Sequence, residues 1–261
     1  MIGAIIGDLA GSVYEYGQVK NVGGVKMGKV IEDNAFISDD SILTIAIMDA
    51  IINKKDYGKT LREYVNKYKY DVPKNVPYFK TMFSPNLIKW AESNEIGKSF
   101  GNGAMMRVSP VGYLFNTEKE VMLNAIYATS PSHNTAEAVT SAEIIALLVY
   151  FFKKGYAKDY IKERLNLNIV KPELQSFNYR CDDTMGVCLY SIFNAKSFED
   201  GIGLALSFGG DTDTNACIVG SVLEARYGVP EELKVKALNK LNPELRAVVE
   251  KVYENENSQS C

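Results

Sequence analysis

Three glycines recur at every fourth position near the start of the chain, and they constrain its fold more than any other feature. Gly3, Gly7 and Gly11 lie in an apolar segment that runs from Met1 to Gly17. On a helix, residues four apart share one face, so the spacing predicts a face that another backbone can approach closely. Glycine is a poor helix former, and this face offsets its low propensity only if the helix is buried.

Helical periodicity continues through most of the remaining chain, and alternating strand patterns are nearly absent. A second helix is expected from about residue 40, because Ser38, Asp39 and Asp40 are good N-cap and first-turn residues. The pattern predicts an all-α protein with one domain over residues 1–254 and a polar, frayed tail over 255–261. Further helices are predicted at 59–69, 118–128, 134–153, 157–165, 183–194, 198–207, 215–227 and 243–253. Loops are predicted at 18–37, 70–86, 93–112 and 166–182, with 25–36 either a loop or a short hairpin.

Composition argues against several classes of function. The net charge is only -3 and charged residues make up 23% of the chain, so we do not expect nucleic-acid binding. The apolar N-terminus lacks a preceding basic segment, and the apolar run from Ile144 to Phe152 is too short to cross a bilayer. The four cysteines form no CxxC pair, which favours reduced thiols in the cytoplasm. With a single histidine, a zinc site is hard to build.

Two acidic clusters carry the strongest chemical signal. The first is Ser38, Asp39 and Asp40, and the second is the segment GGDTDT over residues 209–214. Each places carboxylates and hydroxyls where a loop enters a helix, and such oxygens suit Mg²⁺, Mn²⁺ or Ca²⁺. Capping of the two helices is the simpler alternative for either cluster alone. Both clusters hold more carboxylates than capping needs, and adjacent acids repel one another unless a cation neutralises them.

Two acids in the first helix have an open interpretation. Asp8 interrupts the apolar segment, and we favour a role in capping a neighbouring helix or loop because a buried lone carboxylate is costly. Glu15 is a surface acid, a metal ligand or a general acid/base, and the local sequence does not separate these roles.

A glycine-rich segment, GKSFGNGAMMRV over residues 97–108, offers backbone N–H groups that could hold a phosphate. It lacks the Lys-Ser/Thr of a P-loop, and a glycine-rich turn is also a common linker. For Arg107 in this segment we expect an internal salt bridge. The only histidine, His133, stands before a predicted helix. A Ser-His-Asp triad has no supporting GxSxG motif, so we favour a ligand-contacting or loop-bracing imidazole.

Taken together, five motifs resemble the ADP-ribosylglycohydrolase family, which includes the dinitrogenase-reductase-activating glycohydrolase and the ADP-ribosylarginine and ADP-ribosylserine hydrolases. They match it in order and rough spacing from residue 3 to about 228. The motifs are GAIIGDLAGSVYE near the start, SDDS at 38–41, GNGAMMRVSPVG at 101–112, SHN at 132–134 and GGDTDT at 209–214. The resemblance implies a compact orthogonal all-α bundle with a binuclear Mg²⁺ or Mn²⁺ cleft. It also implies cleavage of the C1″ glycosidic bond that joins ADP-ribose to a protein side chain or a small acceptor.

The resemblance also assigns roles to individual residues. Glu15 and Asp211 become the catalytic candidates, as acid/base groups for the leaving group or the attacking water. The implied metal ligands are Ser38, Asp39, Asp40, Asp211, Asp213 and Thr214. The implied substrate-binding residues are Ser99, Phe100, Gly101, Asn102, Gly103, His133 and Asp183.

Two departures from the family pattern bear on these expectations. Ser38 replaces the usual threonine, which keeps a hydroxyl ligand. The chain is also shorter than several relatives between the first acidic cluster and the glycine loop, which leaves the acceptor open. We expect a monomer that acts on an ADP-ribose-bearing protein or small molecule. The alternatives are a non-catalytic ADP-ribose-binding protein, a metal-dependent hydrolase of another nucleotide-like molecule, and a structural protein that keeps the fold.

Overall fold

The computed structural model describes residues 1–18, 24–74 and 80–259. In these ranges the chain forms fourteen helices and, apart from three isolated β-bridges, no strand pairing. The helices are α1 (Ile2–Gln18), α2 (Asp39–Ile52), α3 (Tyr57–Tyr68), α4 (Pro85–Ala91), α5 (Gly103–Met106), α6 (Ser109–Leu114), α7 (Glu118–Thr129), α8 (Ala136–Lys153), α9 (Lys158–Arg164), α10 (Cys181–Asn194), α11 (Phe198–Ser207), α12 (Thr212–Tyr227), α13 (Glu231–Lys240) and α14 (Pro243–Gln259). The predicted all-α fold is confirmed, and no described helix combines the length and apolarity needed to span a bilayer.

Four helices lie where the sequence pattern indicated none. α4, α5 and α6 fall in or beside segments that we predicted as loops, over 70–86 and 93–112, and they have seven, four and six residues. Helices this short complete fewer than two turns, so they leave almost no periodic signal. α13 is longer, but it buries only Leu233 and Ala237 and is otherwise polar.

Two other predicted segments have mixed outcomes. Residues 24–37 form irregular loop structure and no hairpin, while 19–23 lie outside the described residues. The frayed tail over 255–261 stays a prediction, because α14 is helical as far as Gln259 and the last two residues are not described.

The close backbone approach predicted for α1 is confirmed, and its partner is α12. A Cβ added to Gly3 would lie 2.4 Å from the Gly220 carbonyl oxygen, and one added to Gly7 would lie 2.0 Å from that of Ala216. Gly220 reciprocates, because its own added Cβ would lie 2.3 Å from the Gly3 oxygen. No side chain larger than hydrogen fits between the two backbones at these positions. α1 and α12 therefore form the central helix pair of the core.

Buried polar contacts fix the ends of this pair. The Asp8 carboxylate accepts hydrogen bonds from the backbone N–H groups of Ser38, at 2.9 Å, and Ser41, at 3.1 Å. This confirms the capping interpretation of Asp8, because both donors belong to the start of α2. Near the C-terminal end of α12, Glu224 accepts from Gly3 N at 2.7 Å and from the Tyr253 hydroxyl at 2.6 Å. These contacts tie α1 to α2, α12 and α14.

The glycine contact gives a stability prediction. Gly7→Ala should lower the free energy of unfolding by about 3 kcal/mol or more, because the methyl group would overlap the α12 backbone and force the helices apart. Urea unfolding followed by circular dichroism measures the change. Gly186→Ala on α10 is the matched control, because nothing lies within 4 Å of its added Cβ. This control should raise stability by about 0.5–1 kcal/mol. Equal stability of Gly7→Ala and wild type would contradict the described helix contact.

Candidate active site

A cavity of about 950 Å³ opens over the ends of three helices. Its acidic part is formed by the last turn of α1 and the first turns of α2 and α12. The glycine-rich loop, residues 80–87 and Trp90 line other parts of the wall. All but one of the predicted site residues line this cavity: Glu15, Ser38, Asp39, Asp40, Ser99, Phe100, Gly101, Asn102, Gly103, His133, Asp211, Asp213 and Thr214.

The exception is Asp183. It lies in the first turn of α10, is exposed, and accepts a hydrogen bond from the Asn178 amide. The structure does not bring it to the cavity lining with the other residues. The reason is the direction of the helix start: the neighbouring Thr184 is buried and accepts from Asn102 at 3.1 Å, whereas Asp183 points outward.

The start of α2 shows how far capping accounts for the first acidic cluster. Ser38 is the N-cap, and its hydroxyl accepts from the backbone N–H of Asp40 at 3.2 Å. The same oxygen lies 2.8 Å from Asp8 Oδ1 and 3.1 Å from Asp40 Oδ2. The other carboxylate oxygen of Asp40, Oδ1, is buried and has no hydrogen-bond partner. Capping thus explains Ser38 but leaves a buried carboxylate oxygen of Asp40 without a hydrogen-bond partner, and such an oxygen could ligate a hard cation.

The start of α12 places the second cluster directly opposite. Gly209 and Gly210 have φ of 74° and 78°, a conformation that glycine adopts without strain, and this turn leads into Asp211. Asp211 occupies the N-cap position but makes no side-chain capping bond; it accepts from Asn102 Nδ2 at 2.8 Å. The Thr214 hydroxyl donates to Asp40 Oδ2 at 3.2 Å, which joins the two clusters.

Two sets of three carboxylates lie close enough to share a cation. One set is Asp8, Asp40 and Asp213, and the other is Glu15, Asp211 and Asp213; within each set the nearest oxygens lie within 4.8 Å of one another. Asp213 belongs to both sets. Asp8 is already engaged as the cap of α2, so Asp40 and Asp213 are the freer members of the first set. Asp39 lines the cavity beside these acids but belongs to neither set.

The electrostatics of this cluster call for a counter-charge. Burial raises the pKa of Glu15 to about 12, and the neighbouring charges of Asp213 and Asp211 contribute to the rise. Burial, Asp213 and Asp8 raise the pKa of Asp39 to about 8. The pKa values of Asp40 and Asp213 also lie well above normal, chiefly because of burial. Such acids must hold protons or surround a cation, and an all-oxygen donor set fits a hard divalent ion.

The glycine-rich loop is held by neighbours on α10 and on the segment before it. Asn102 N donates to the Tyr179 carbonyl at 2.8 Å, and the Cys181 thiol donates to the Gly101 carbonyl at 3.1 Å. The Asn102 side chain is directed at Asp211 and Thr184, so it supports the acidic cluster from within the loop. The loop therefore has a fixed geometry next to the acids.

Arg107 differs from our expectation. The prediction of an internal salt bridge is wrong, because no described acid lies within ion-pairing distance. Its guanidinium is buried and donates from Nη2 to the Ala128 carbonyl at 3.3 Å and to Ser132 Oγ at 2.7 Å. At longer range, the Arg107 charge offsets a small part of the rise in the pKa of Asp39.

Of the aromatic residues in the cavity wall, the sequence indicated Phe100 but not Trp90, Phe177 or Tyr179. Phe100 and Tyr179 stack with ring centroids 6.3 Å apart, and the Arg180 guanidinium lies 4.8 Å from the centre of the Phe100 ring. Phe177 and Trp90 also line the cavity. Trp90, Phe100 and the segment over residues 177–180 are far apart in sequence and come together only in the folded chain, so a pattern along the sequence could not group them.

Comparison with known proteins agrees with this architecture. The sequence matches the ADP-ribosylglycohydrolase family over residues 1–260. It is 22% identical to the mouse ADP-ribosylhydrolase ARH3, over 59% of this chain and 48% of that protein. It is 25% identical to the ADP-ribosylarginine hydrolase Tri1 of Pseudomonas putida (strain GB-1), over 54% of this chain and 42% of that protein. The matched region thus spans about half the length of these two curated relatives or less.

A solved structure, titled ADP-ribosylglycohydrolase-related protein complex, has the same fold. It superposes with a TM-score of 0.71 over 95% of this chain and 94% of that chain, at 20% identity. The family match covers nearly the whole sequence, and the motifs that carried the resemblance are the ones that meet at the cavity. The chain belongs to the ADP-ribosylglycohydrolase family.

Proposed function

We propose that this protein is a metal-dependent hydrolase that cleaves the C1″ glycosidic bond of ADP-ribose conjugates and releases ADP-ribose. The observation that carries the proposal is the pair of three-carboxylate sets that share Asp213 at one end of a cavity large enough for a nucleotide-sized ligand. The family match and the names of the relatives support the choice of ADP-ribose as the substrate class.

We assign two Mg²⁺ or Mn²⁺ ions to this cluster. Ser38, Asp39, Asp40, Asp211, Asp213 and Thr214 would hold them. Asp213, which lies in both carboxylate sets, would be shared between the two. When bound, such ions orient hydroxyl groups of the substrate and stabilise negative charge that develops during cleavage.

The protein groups around the cluster have distinct roles in the proposed reaction. Glu15 lies next to Asp211 and Asp213, is half-buried, and is the candidate acid that protonates the departing acceptor group. Asp211 is held in place by Asn102 and is the candidate base for the attacking water. The flanking carboxylates would stabilise the positive charge of an oxocarbenium-like transition state.

The glycine-rich loop and its aromatic neighbours supply the remaining substrate contacts in this proposal. Ser99, Phe100, Gly101 and Gly103 would hold the diphosphate and neighbouring ribose, and His133 would contact the substrate from beside them. The acceptor would be a protein side chain or a small molecule, and residues 80–87 and Trp90 of the cavity wall would contact it.

The activity prediction compares two aspartate variants. With Mn²⁺ or Mg²⁺ present, wild type should release ADP-ribose from at least one of ADP-ribosyl-arginine, ADP-ribosyl-serine and O-acetyl-ADP-ribose. Asp213→Asn should lower kcat by at least about a hundredfold, because it removes the carboxylate common to both sets. Asp159→Asn on exposed α9 is the control and should retain wild-type turnover. Chromatography of the products separates ADP-ribose from AMP, and AMP as the product would contradict glycosidic cleavage.

A stability measurement tests metal binding independently of substrate. Mn²⁺ at about a hundred times the Kd of a site should stabilise wild type by about 2.7 kcal/mol for each ion bound. Without metal, Asp213→Asn should be more stable than wild type, because it removes repulsion among buried acids. With metal, the order should reverse, since the variant loses ligands for both ions. Melting curves with and without Mn²⁺ measure both effects, and equal Mn²⁺ shifts in the two proteins would contradict the assigned ligands.

A further inference from the structure

Ser132 links the buried guanidinium of Arg107 to His133, the only histidine in the sequence. The Ser132 Oγ lies 2.7 Å from Arg107 Nη2 and 2.7 Å from His133 Nδ1. All three side chains are at least 95% buried, so water contributes little to their hydrogen bonding. The contacts form a chain from guanidinium to hydroxyl to imidazole.

The protons of this chain can be placed by elimination. A guanidinium has donors only, so Ser132 Oγ must accept from Arg107. The single proton of the hydroxyl then has one acceptor within reach among the described residues, which is His133 Nδ1. If Nδ1 carried a proton instead, the buried hydroxyl would be left as an unpaired donor, which costs about 1–3 kcal/mol. Nδ1 is therefore the acceptor, and the ring proton resides on Nε2.

The Nε2 side of the ring faces the glycine-rich loop. A Cβ added to Gly103 would lie 3.3 Å from Nε2, and one added to Gly101 would lie 3.8 Å from it. Nε2 has no hydrogen-bond acceptor among the described residues, and His133 lines the cavity. The glycines thus leave space in front of an N–H group that lacks a protein partner.

We propose that Arg107 and Ser132 are positioning residues that lock His133 in the Nε2–H tautomer, so that the cavity presents a neutral N–H donor to an oxygen of its ligand. For the ligand, this inference rests on the proposed function, in which the oxygen belongs to the diphosphate or a ribose. Burial and the nearby Arg107 charge both lower the pKa of His133, which agrees with a neutral ring. A neutral Nε2–H group of fixed direction favours a ligand that has an oxygen acceptor at this position over one that has a hydrogen-bond donor there.

The tautomer can be read directly from the protein as it is. Because the chain has one histidine, a long-range ¹H–¹⁵N correlation spectrum of uniformly ¹⁵N-labelled protein contains a single imidazole. The proposal expects a protonated Nε2 and an unprotonated Nδ1 in wild type without ligand. A spectrum with a protonated Nδ1, or with both nitrogens protonated at neutral pH, would overturn it. This spectrum requires neither a variant nor an active enzyme.

Two serine variants test the cause of the tautomer preference. Ser132→Ala removes the hydroxyl donor to Nδ1, and its ring nitrogens should shift towards values averaged over both tautomers. Ser130→Ala, two residues earlier and outside the cavity lining, should keep the wild-type spectrum. An unchanged imidazole spectrum in Ser132→Ala would show that Ser132 does not set the tautomer.

A binding measurement separates the inference from the proposed function. Titration calorimetry with ADP-ribose and Mg²⁺ should give a Kd about tenfold weaker in Ser132→Ala than in wild type and Ser130→Ala. Equal Kd values would overturn the ligand-contact part of the inference. If ADP-ribose does not bind wild type, the proposed substrate class fails, and the ligand-free spectrum still decides the tautomer.

Discussion

The direct contact between the backbones of α1 and α12 is the constraint on which the rest of the structure depends. It needs glycine at positions 3, 7 and 220, and it continues to the functional end of the pair, where a Cβ on Gly11 would lie 2.3 Å from the Thr212 oxygen. Because the two helices approach so closely, the last turn of α1 meets the first turn of α12. Glu15 is thereby brought to Asp211 and Asp213, although nearly two hundred residues of chain separate them. The stabilising contact and the placement of the acids are consequences of one packing arrangement.

The acidic cluster, in contrast to the helix contact, destabilises the same core. Buried acids that repel one another lower the stability of the folded chain unless protons or a cation compensate. Neutral donors offset part of this cost: backbone N–H groups at the start of α2 donate to Asp8, Asn102 donates to Asp211, and Thr214 donates to Asp40. Asp40 Oδ1 is left without a partner, and Asp213 is left among like charges. These two uncompensated acids lie where the proposed ions would bind. Functional sites often keep locally unfavourable arrangements of this kind.

Much of the fold could be predicted from the sequence because its long helices are regular and its special residues have few possible uses. The Gly3–Gly7–Gly11 spacing predicted a close helix contact, and the structure identifies α12 as the partner. The short helices α4, α5 and α6 were missed because local periodicity needs several turns to appear. The two acidic clusters could be found from local sequence motifs. The hydrogen bond that joins them, from Thr214 to Asp40, depends on tertiary packing. For the same reason, Arg107 could not be matched with Ser132, and the aromatic residues of the wall could not be grouped.

The proposed function requires Asp213, which belongs to both carboxylate sets, to lie between two bound cations, one beside Asp40 and the other beside Asp211 and Glu15. Crystals grown with Mn²⁺ and measured near the manganese absorption edge test this most directly, because anomalous difference maps locate the ions without reference to activity. The account predicts two anomalous peaks at the acidic end of the cavity, both within coordinating distance of the Asp213 carboxylate. A map with no peak there, or with a single peak that Asp213 does not contact, would contradict it.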